Sequence, residues 1–280
     1  MSGLSAATSL LHEIYVVTEN SDKVYVYFCH RPYELKAQVR IPNMDPADIA
    51  TSYADVCVYV LDSGNECIWR IDRKQKTREY PLNVGPGKDL KSMSITQKGV
   101  IVVVLSGNKI AMYNPVNQET KLVSLKAGEG IAHAAEIGDN RLLACHDTQT
   151  FVYDLKRAEV CEAMDVGGNH ISMKSSNCAI VTDKAGQGLR MLDVEKWKTE
   201  DMTDERNGRG NLTYMYVRYA MENGLLLASW KKYLYVYSFD KVDAESHLAG
   251  SDSEARQKHE PEAASSENAT GTTFFEHTLS

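Results

Sequence analysis

A carboxylate, a hydroxyl, two imidazoles and a phenol recur along this chain at intervals of 44, 41, 37 and 44 residues: Asp48, Ser92, His133, His170 and Tyr214. Each stands at the same place in a short small-residue segment: Ala47-Asp48-Ile49-Ala50, Ser92-Met93-Ser94-Ile95, His133-Ala134-Ala135, His170-Ile171-Ser172 and Tyr214-Met215-Tyr216. If those segments converge on one axis, the five side chains form a ring able to contact a common ligand. His133, His170 and Asp48 together offer the N, N, O donor set that suits a zinc-like ion. The competing expectation is a polar, water-filled channel in which each imidazole bonds neighbouring backbone. A third histidine is missing, so that second expectation is preferred. The ring is taken as a candidate ligand contact, with no catalytic residue, no metal and no cofactor assigned and the His133, His170 and Asp48 metal set kept as the alternative.

The elements that would position these residues repeat with them. Second strands of paired apolar segments end at Tyr27, Ile71, Tyr113, Tyr153, Leu192 and Tyr237, in steps of 44, 42, 40, 39 and 45 residues. A period of about 40–45 residues with several strands per unit marks a β-propeller blade. The strand before each is a continuous apolar run, such as Val58-Tyr59-Val60-Leu61 or Val100 through Leu105, as expected where both faces are covered. Asn20-Ser21-Asp22, Asp62-Ser63-Gly64-Asn65, Ser106-Gly107-Asn108 and Lys184 through Gly188 break the pairs with residues that tolerate positive φ, whereas Trp230-Lys231-Lys232 lacks one. More polar outer strands follow, as at Thr77-Arg78-Glu79-Tyr80. The expected fold is all-β: a six-bladed propeller with four antiparallel strands per blade, closed by a blade shared between the two chain ends.

Residues 1–240 are thus expected to form a single propeller domain. The stretch 241–280 holds three Lys/Arg against eight Asp/Glu and so carries −5 of the chain's −7. It is read as a disordered acidic tail, because it cannot bury enough apolar surface to offset the entropy of ordering. Its Phe274-Phe275 end leaves two alternatives, a docking peptide or the missing outer strand of the last blade. The propeller body holds 28 Lys/Arg against 30 Asp/Glu, which argues against a nucleic-acid partner. Arg206-Asn207-Gly208-Arg209-Gly210 is its one basic, flexible loop and is read as a solvated connection. No apolar run reaches the ~18 residues of a membrane span, and the first eleven residues carry no basic leader. Six cysteines lack zinc or disulfide spacing, so buried thiols in a reducing, cytoplasmic setting are expected, with Cys57 and Cys67 near enough in sequence to approach across one hairpin.

Blade two carries a more specific likeness. Asp45-Pro46-Ala47-Asp48-Ile49-Ala50, then Val58-Tyr59-Val60-Leu61-Asp62-Ser63-Gly64-Asn65-Glu66-Cys67-Ile68-Trp69-Arg70-Ile71, resembles an NHL-type repeat, with Cys67 where the family has a basic residue. Ser106-Gly107-Asn108-Lys109-Ile110 and Asp183 keep parts of the pattern. The resemblance covers roughly residues 13–240. It implies a six-bladed, TolB-like ring that binds proteins, and some relatives select substrates in ubiquitin-type pathways behind zinc modules that this chain lacks.

The function expected is a non-catalytic platform for a protein or peptide on one propeller face, cytoplasmic and monomeric, with no nucleic acid and no membrane. The alternative is a metal-dependent hydrolase or lyase acting on a small ester or lactone. Tyr214, Tyr216, Tyr219, Trp230, Tyr233, Tyr235 and Tyr237 make the sixth unit the most aromatic, as a binding rim or as inter-blade core.

Overall fold

The computed structural model describes residues 4–30, 32–85, 88–126, 130–138, 140–183, 188–202, 216–221, 224–230, 233–238 and 272–275. Among them every regular element is a strand. Six antiparallel sheets of four strands each make a six-bladed β-propeller. Blade one is β1 (Leu4–Leu10), β2 (Glu13–Thr18), β3 (Lys23–Phe28) and β4 (Leu35–Arg40). Blade two is β5 (Pro46–Ser52), β6 (Cys57–Asp62), β7 (Cys67–Ile71) and β8 (Thr77–Pro81). Blade three is β9 (Leu90–Ile95), β10 (Ile101–Leu105), β11 (Lys109–Asn114) and β12 (Glu119–Ser124). Blade four is β13 (His133–Glu136), β14 (Arg141–Cys145), β15 (Thr150–Asp154) and β16 (Glu159–Met164). Blade five is β17 (Ile171–Met173), β18 (Cys178–Asp183), β19 (Gly188–Asp193) and β20 (Lys198–Asp201). Blade six is β21 (Tyr216–Ala220), β22 (Leu225–Trp230), β23 (Tyr233–Ser238) and β24 (Thr272–Phe275).

The continuous apolar runs are explained by what each face meets. In β10, Ile101, Val103 and Leu105 join the core shared with blade two, while Val102 and Val104 join the core shared with blade four. In β14, Leu142 and Ala144 face blade three, whereas Leu143 and Cys145 face blade five. A strand's period of two therefore sends alternate residues into different cores, and both must be apolar. Each fully buried Val or Leu contributes about 1.5–3 kcal/mol relative to exposure.

Closure differs from the expectation of a blade shared between the chain ends. Every blade is contiguous in its first three strands, and Leu4–Leu10 is the innermost strand of blade one, paired Ala7↔Val16 and Ser9↔Ile14. Its small residues, Ala6, Ala7, Thr8 and Ser9, are the type that fits beside the axis. The ring closes through side chains instead: Ala7, Ile14, Val16 and Tyr27 pack on Ala220, Leu225, Leu227 and Val236 of blade six. Within the stretch expected to be a tail, Thr272–Phe275 pairs with β23, Leu234↔Phe275 through Tyr237↔Thr272, so the outer-strand alternative holds for those four residues. The rest of 241–280 lies outside the described residues, as do the loop at 206–210, most of the 184–188 turn and the pair Lys231-Lys232.

Turn chemistry follows the breakers in part. Asn20, Gly107 and Asn108 take φ of 56°, 71° and 55°, but in blade two the positive φ falls on Glu66, at 50°, rather than on Gly64 or Asn65. The NHL-like aspartate has a structural task. Asp62 is fully buried and accepts from the backbone N–H groups of Asp45 and Asn65, from Asn65 Nδ2 and from Trp69 Nε1. All six cysteines are free, yet only Cys57, Cys67 and Cys145 are buried, and Cys161 is exposed on β16. Cys57 pairs opposite Ser52 and Cys67 opposite Asp62, which separates the two thiols by five residues of strand, about 17 Å. They do not approach.

Candidate functional site

The inner strands bring Asp48, His133 and His170 together as expected. One ligand atom from each lies within 4.8 Å of the others, and the three residues are 1%, 0% and 4% exposed. Asp48 follows a bulge in the β5–β6 register between Pro46 and Asp48. Such an irregularity turns the side chain, here toward the axis. His170 precedes β17, at the end of Val166-Gly167-Gly168-Asn169, and Thr182 Oγ1 accepts the Asn169 and His170 N–H groups at 2.9 and 3.0 Å. A Cβ on Gly168 would lie 1.7 Å from the Thr182 carbonyl oxygen. Only glycine lets the backbone come that close.

Ser92 and Tyr214 stand differently. Ser92 Oγ donates to the Ala132 carbonyl at 2.7 Å, as Ser94 Oγ does to Ala134, so both hydroxyls stitch blade three to blade four. Tyr214 lies outside the described residues. The phenol in the cluster is Tyr216, two positions on, whose ring centroid is 4.2 Å from that of His170. A register displaced by two keeps a residue on the same face, which is why a tyrosine still arrives there.

Arg218 was missed by sequence reasoning and is the hub. Its Nη2 donates to Asp48 Oδ1 at 3.2 Å and to the carbonyls of Ile49 and Met93 at 3.1 Å each, while Nε donates to the Tyr216 hydroxyl at 3.0 Å. The Tyr216 hydroxyl in turn donates to the Ile49 carbonyl at 3.0 Å. Blade six thereby reaches across the axis to blades two and three. Asp48 completes its set with the N–H of Ile49 on Oδ1 and of Met93 on Oδ2, both at 2.7 Å. The signal was available: a lone guanidinium in the apolar strand Tyr216-Val217-Arg218-Tyr219-Ala220 must find an acid, and Asp48 is the one carboxylate in the inner-strand segments aligned above.

The imidazoles stack on each other, centroids 3.8 Å apart and planes tilted 42°. Their Nε2 atoms lie 4.0 Å (His133) and 3.6 Å (His170) from Asp48 Oδ2, and His133 Nε2 is 3.2 Å from the Met93 carbonyl. Burial above all holds both histidines neutral, well below the usual imidazole range, with His170 and Arg218 adding to the effect on His133 and Arg218 to that on His170. Burial also drives the Tyr216 phenol far above its usual value. At Arg218 burial acts downward, but the neighbouring Tyr216 and Asp48 outweigh it and the guanidinium stays charged. His146 sits off the axis, accepting from the Thr148 N–H and resting against Phe151.

No family model matches the chain, and no curated protein does. Solved structures share the fold. Virginiamycin B lyase from Staphylococcus aureus is 11% identical over 84% of this chain and 81% of its own, with a TM-score of 0.60. Kuenenia stuttgartiensis hydrazine synthase is 14% identical over 86% of this chain and 78% of its own, also at 0.60. Identity this low carries the propeller architecture and nothing of either protein's chemistry. No helix among the described residues is long and apolar enough to cross a membrane.

Proposed function

We propose that this propeller is a non-catalytic platform for a protein or peptide, of NHL-like character, monomeric and cytoplasmic, of the kind that selects substrates in ubiquitin-type pathways. The observation that carries it is the plug at the axis. Asp48, His133, His170, Tyr216 and Arg218 are each at most 8% exposed, and Tyr216 and Arg218 of blade six hydrogen-bond across the ring to blade two, so a substrate entering there would have to break a charge pair. Recognition then falls to the faces. On one of them Tyr53 and Met221, 37% and 45% exposed, sit together just past the ends of β5 and β21, with the Met221 N–H donating to the Tyr53 hydroxyl. Tyr and Met are residue types enriched where partners dock. The near balance of charge in the body supports the absence of a nucleic-acid partner.

The test is selection of peptides from a displayed library on the full chain, followed by Tyr53→Ala and Met221→Lys. Binding should fall at least tenfold, about 1.4 kcal/mol, in either variant. Failure to select any peptide, or selected peptides indifferent to both changes, would remove the face as the site. The second reading, a metal-dependent hydrolase or lyase on a small ester or lactone, draws on the convergence of Asp48, His133 and His170 within 4.8 Å. Turnover across an ester and lactone panel, abolished by chelator, would put it first.

A further inference from the structure

We propose that Asp48, His133 and His170 hold one transition-metal ion of the zinc class, as a buried structural pin joining blades two, four and five. The proposal stands apart from the platform reading, since a pin of this kind needs neither a substrate nor an open channel.

Three observations carry it. The first is unpaired polarity. His170 is enclosed with no well-formed hydrogen bond on Nδ1 or Nε2, its ring making only a marginal approach to the Val217 backbone, and His133 Nδ1 is without a partner. A neutral imidazole has one donor and one lone pair to satisfy, and leaving either unmet in a dry interior costs about 1–3 kcal/mol. Coordination would use a lone pair on each ring.

The second observation is the division of labour on Asp48. Oδ1 is taken by Arg218 and the Ile49 N–H, whereas Oδ2, which accepts the Met93 N–H, is the oxygen facing both imidazoles. Guanidinium and ion would therefore use different oxygens of one carboxylate. The hydrogen bonds already on it are the outer support that fixes a ligand's orientation.

The third is spacing. Two ligands at zinc distances of about 2.0–2.1 Å and a tetrahedral angle are about 3.3 Å apart. The His170 Nε2 to Asp48 Oδ2 separation is 3.6 Å and that from His133 Nε2 is 4.0 Å, so each imidazole is close to sharing an ion with the carboxylate, and the two rings, stacked at 3.8 Å between centroids, would swing apart to share it with each other. His133 would exchange its 3.2 Å contact with the Met93 carbonyl for the ion. Two imidazoles with one carboxylate suit zinc, nickel, copper or cobalt rather than magnesium or calcium, which prefer oxygen ligands throughout. Burial supports the same end, because it keeps both rings in the unprotonated form that coordinates.

The full chain is expressed in zinc-supplemented medium and dialysed against metal-free buffer, and a second sample is unfolded and refolded with excess Zn²⁺ or Co²⁺. Elemental analysis should find about one zinc per chain, strong chelator during refolding should lower the melting temperature by several degrees, and the cobalt form should show the visible absorption of a low-coordinate nitrogen–oxygen site. His170→Gln and His133→Gln should each remove the stoichiometric metal. Less than about a tenth of an ion per chain in both preparations, with no cobalt spectrum, overturns the proposal without needing any variant to fold. Stoichiometric metal that survives both glutamine changes overturns it too, because the ion then sits elsewhere. Peptide binding unaffected by chelator leaves the platform reading standing whichever way the metal result falls.

Discussion

Carboxylates at the axis and at the rim of this ring are held by different kinds of contact. At the axis Asp48 is met by the N–H of Met93, 45 residues away, and by Arg218, 170 residues away. At the rim the carboxylates Asp72, Asp154 and Asp193, with the amide Asn114 in the same place, stand at or just past the ends of the third strands of four successive blades, and each accepts N–H groups two to four residues further on. The residues closing those turns, Gln75, Gln118, Ala158 and Trp197, take φ between 52° and 60°. Rim contacts are local and repeat per blade, so each shapes one hairpin. The axial contacts occur once and exist only when distant blades are assembled. Disruption should therefore be felt across the whole ring at the axis and within one turn at the rim.

Arg218→Met should give the largest effect. Methionine fills the volume but leaves the buried Asp48 carboxylate without its cation, a loss of about 3–5 kcal/mol. Against a total stability of about 5–15 kcal/mol, that lowers the melting temperature by roughly 10 °C. A shift no larger than that of a rim variant would show that the cross-axis pair contributes little and that inter-blade packing alone closes the ring.

Acid should separate the two regions by pH, in metal-free protein kept in chelator. His133, facing His170, Asp48 and Arg218, and His170, facing Tyr216, Arg218 and Asp48, bind no proton in the folded state near neutrality. Unfolded, they protonate near pH 6.5, so the unfolded state takes up protons the folded state refuses and stability falls as pH drops below that value. The slope is about 1.4 kcal/mol per pH unit for each ring. The carboxyls of Asp72, Asp154 and Asp193 are held below their usual 3.8, chiefly by backbone N–H donors. Their contribution is complete above pH 4 and is lost only as pH falls through their lowered folded values. Denaturant midpoints should decline from pH 6.5 to 5 in the native chain and stay flat there in a His133→Gln, His170→Gln double variant. A decline that begins only below pH 4 would contradict the axial assignment.

Removing residues 272–280 tests the rim on a larger scale. The truncated chain loses β24 and bares the β23 edge, yet the axis and the core between blades six and one remain. The melting temperature should fall by less than with Arg218→Met, while association at high concentration should rise, because an unpaired edge invites strand pairing. Light scattering reads the second effect.

Most of the ring was legible because blade periodicity is a local property repeated six times. Apolar runs located the middle strands, and small-residue segments placed Asp48, His133 and His170 on the axis. The rim turns were legible too, at steps of 42, 40 and 39 residues from Asp72 to Asn114, Asp154 and Asp193, but they hide when only apolar residues are followed. Arg218 was harder to read, since its strand shows a lone cation but the acid that explains it, Asp48, lies 170 residues away. The aligned inner position was taken at Tyr214, outside the described residues, whereas the phenol beside His170 is Tyr216. The strand at Thr272–Phe275 is separated from its sheet partner by an acidic stretch that gives no strand signal. The NHL-like Asp62 was legible as a pattern, and its task is to anchor a hairpin.

Asp154→Ala should show the smallest effect and is the sharpest test of what the rim carboxylates do. Asp154 Oδ1 accepts the N–H groups of Lys156 at 2.8 Å and Arg157 at 3.0 Å, and Arg157 Nε stands 4.0 Å from Oδ2. Both halves of this arrangement face solvent, where water replaces a lost acceptor and salt screens the ion pair. Alanine removes the acceptor and frees the turn, so the melting temperature should drop slightly and only the exchange of the Lys156 and Arg157 amides should quicken. Asp154→Asn separates geometry from charge. Blade three already uses Asn114 at this place, accepting the Val116 N–H at 3.0 Å, so an amide oxygen suffices there. Amide exchange in Asp154→Asn should therefore match the native protein at neutral pH, and the blade-four turn should lose its acid sensitivity below pH 4. If asparagine behaved like alanine, the charge rather than the acceptor would be holding the turn. The three rim aspartates would then act through their charge, with Asn114 sharing only their spacing, instead of all four forming one repeated backbone device.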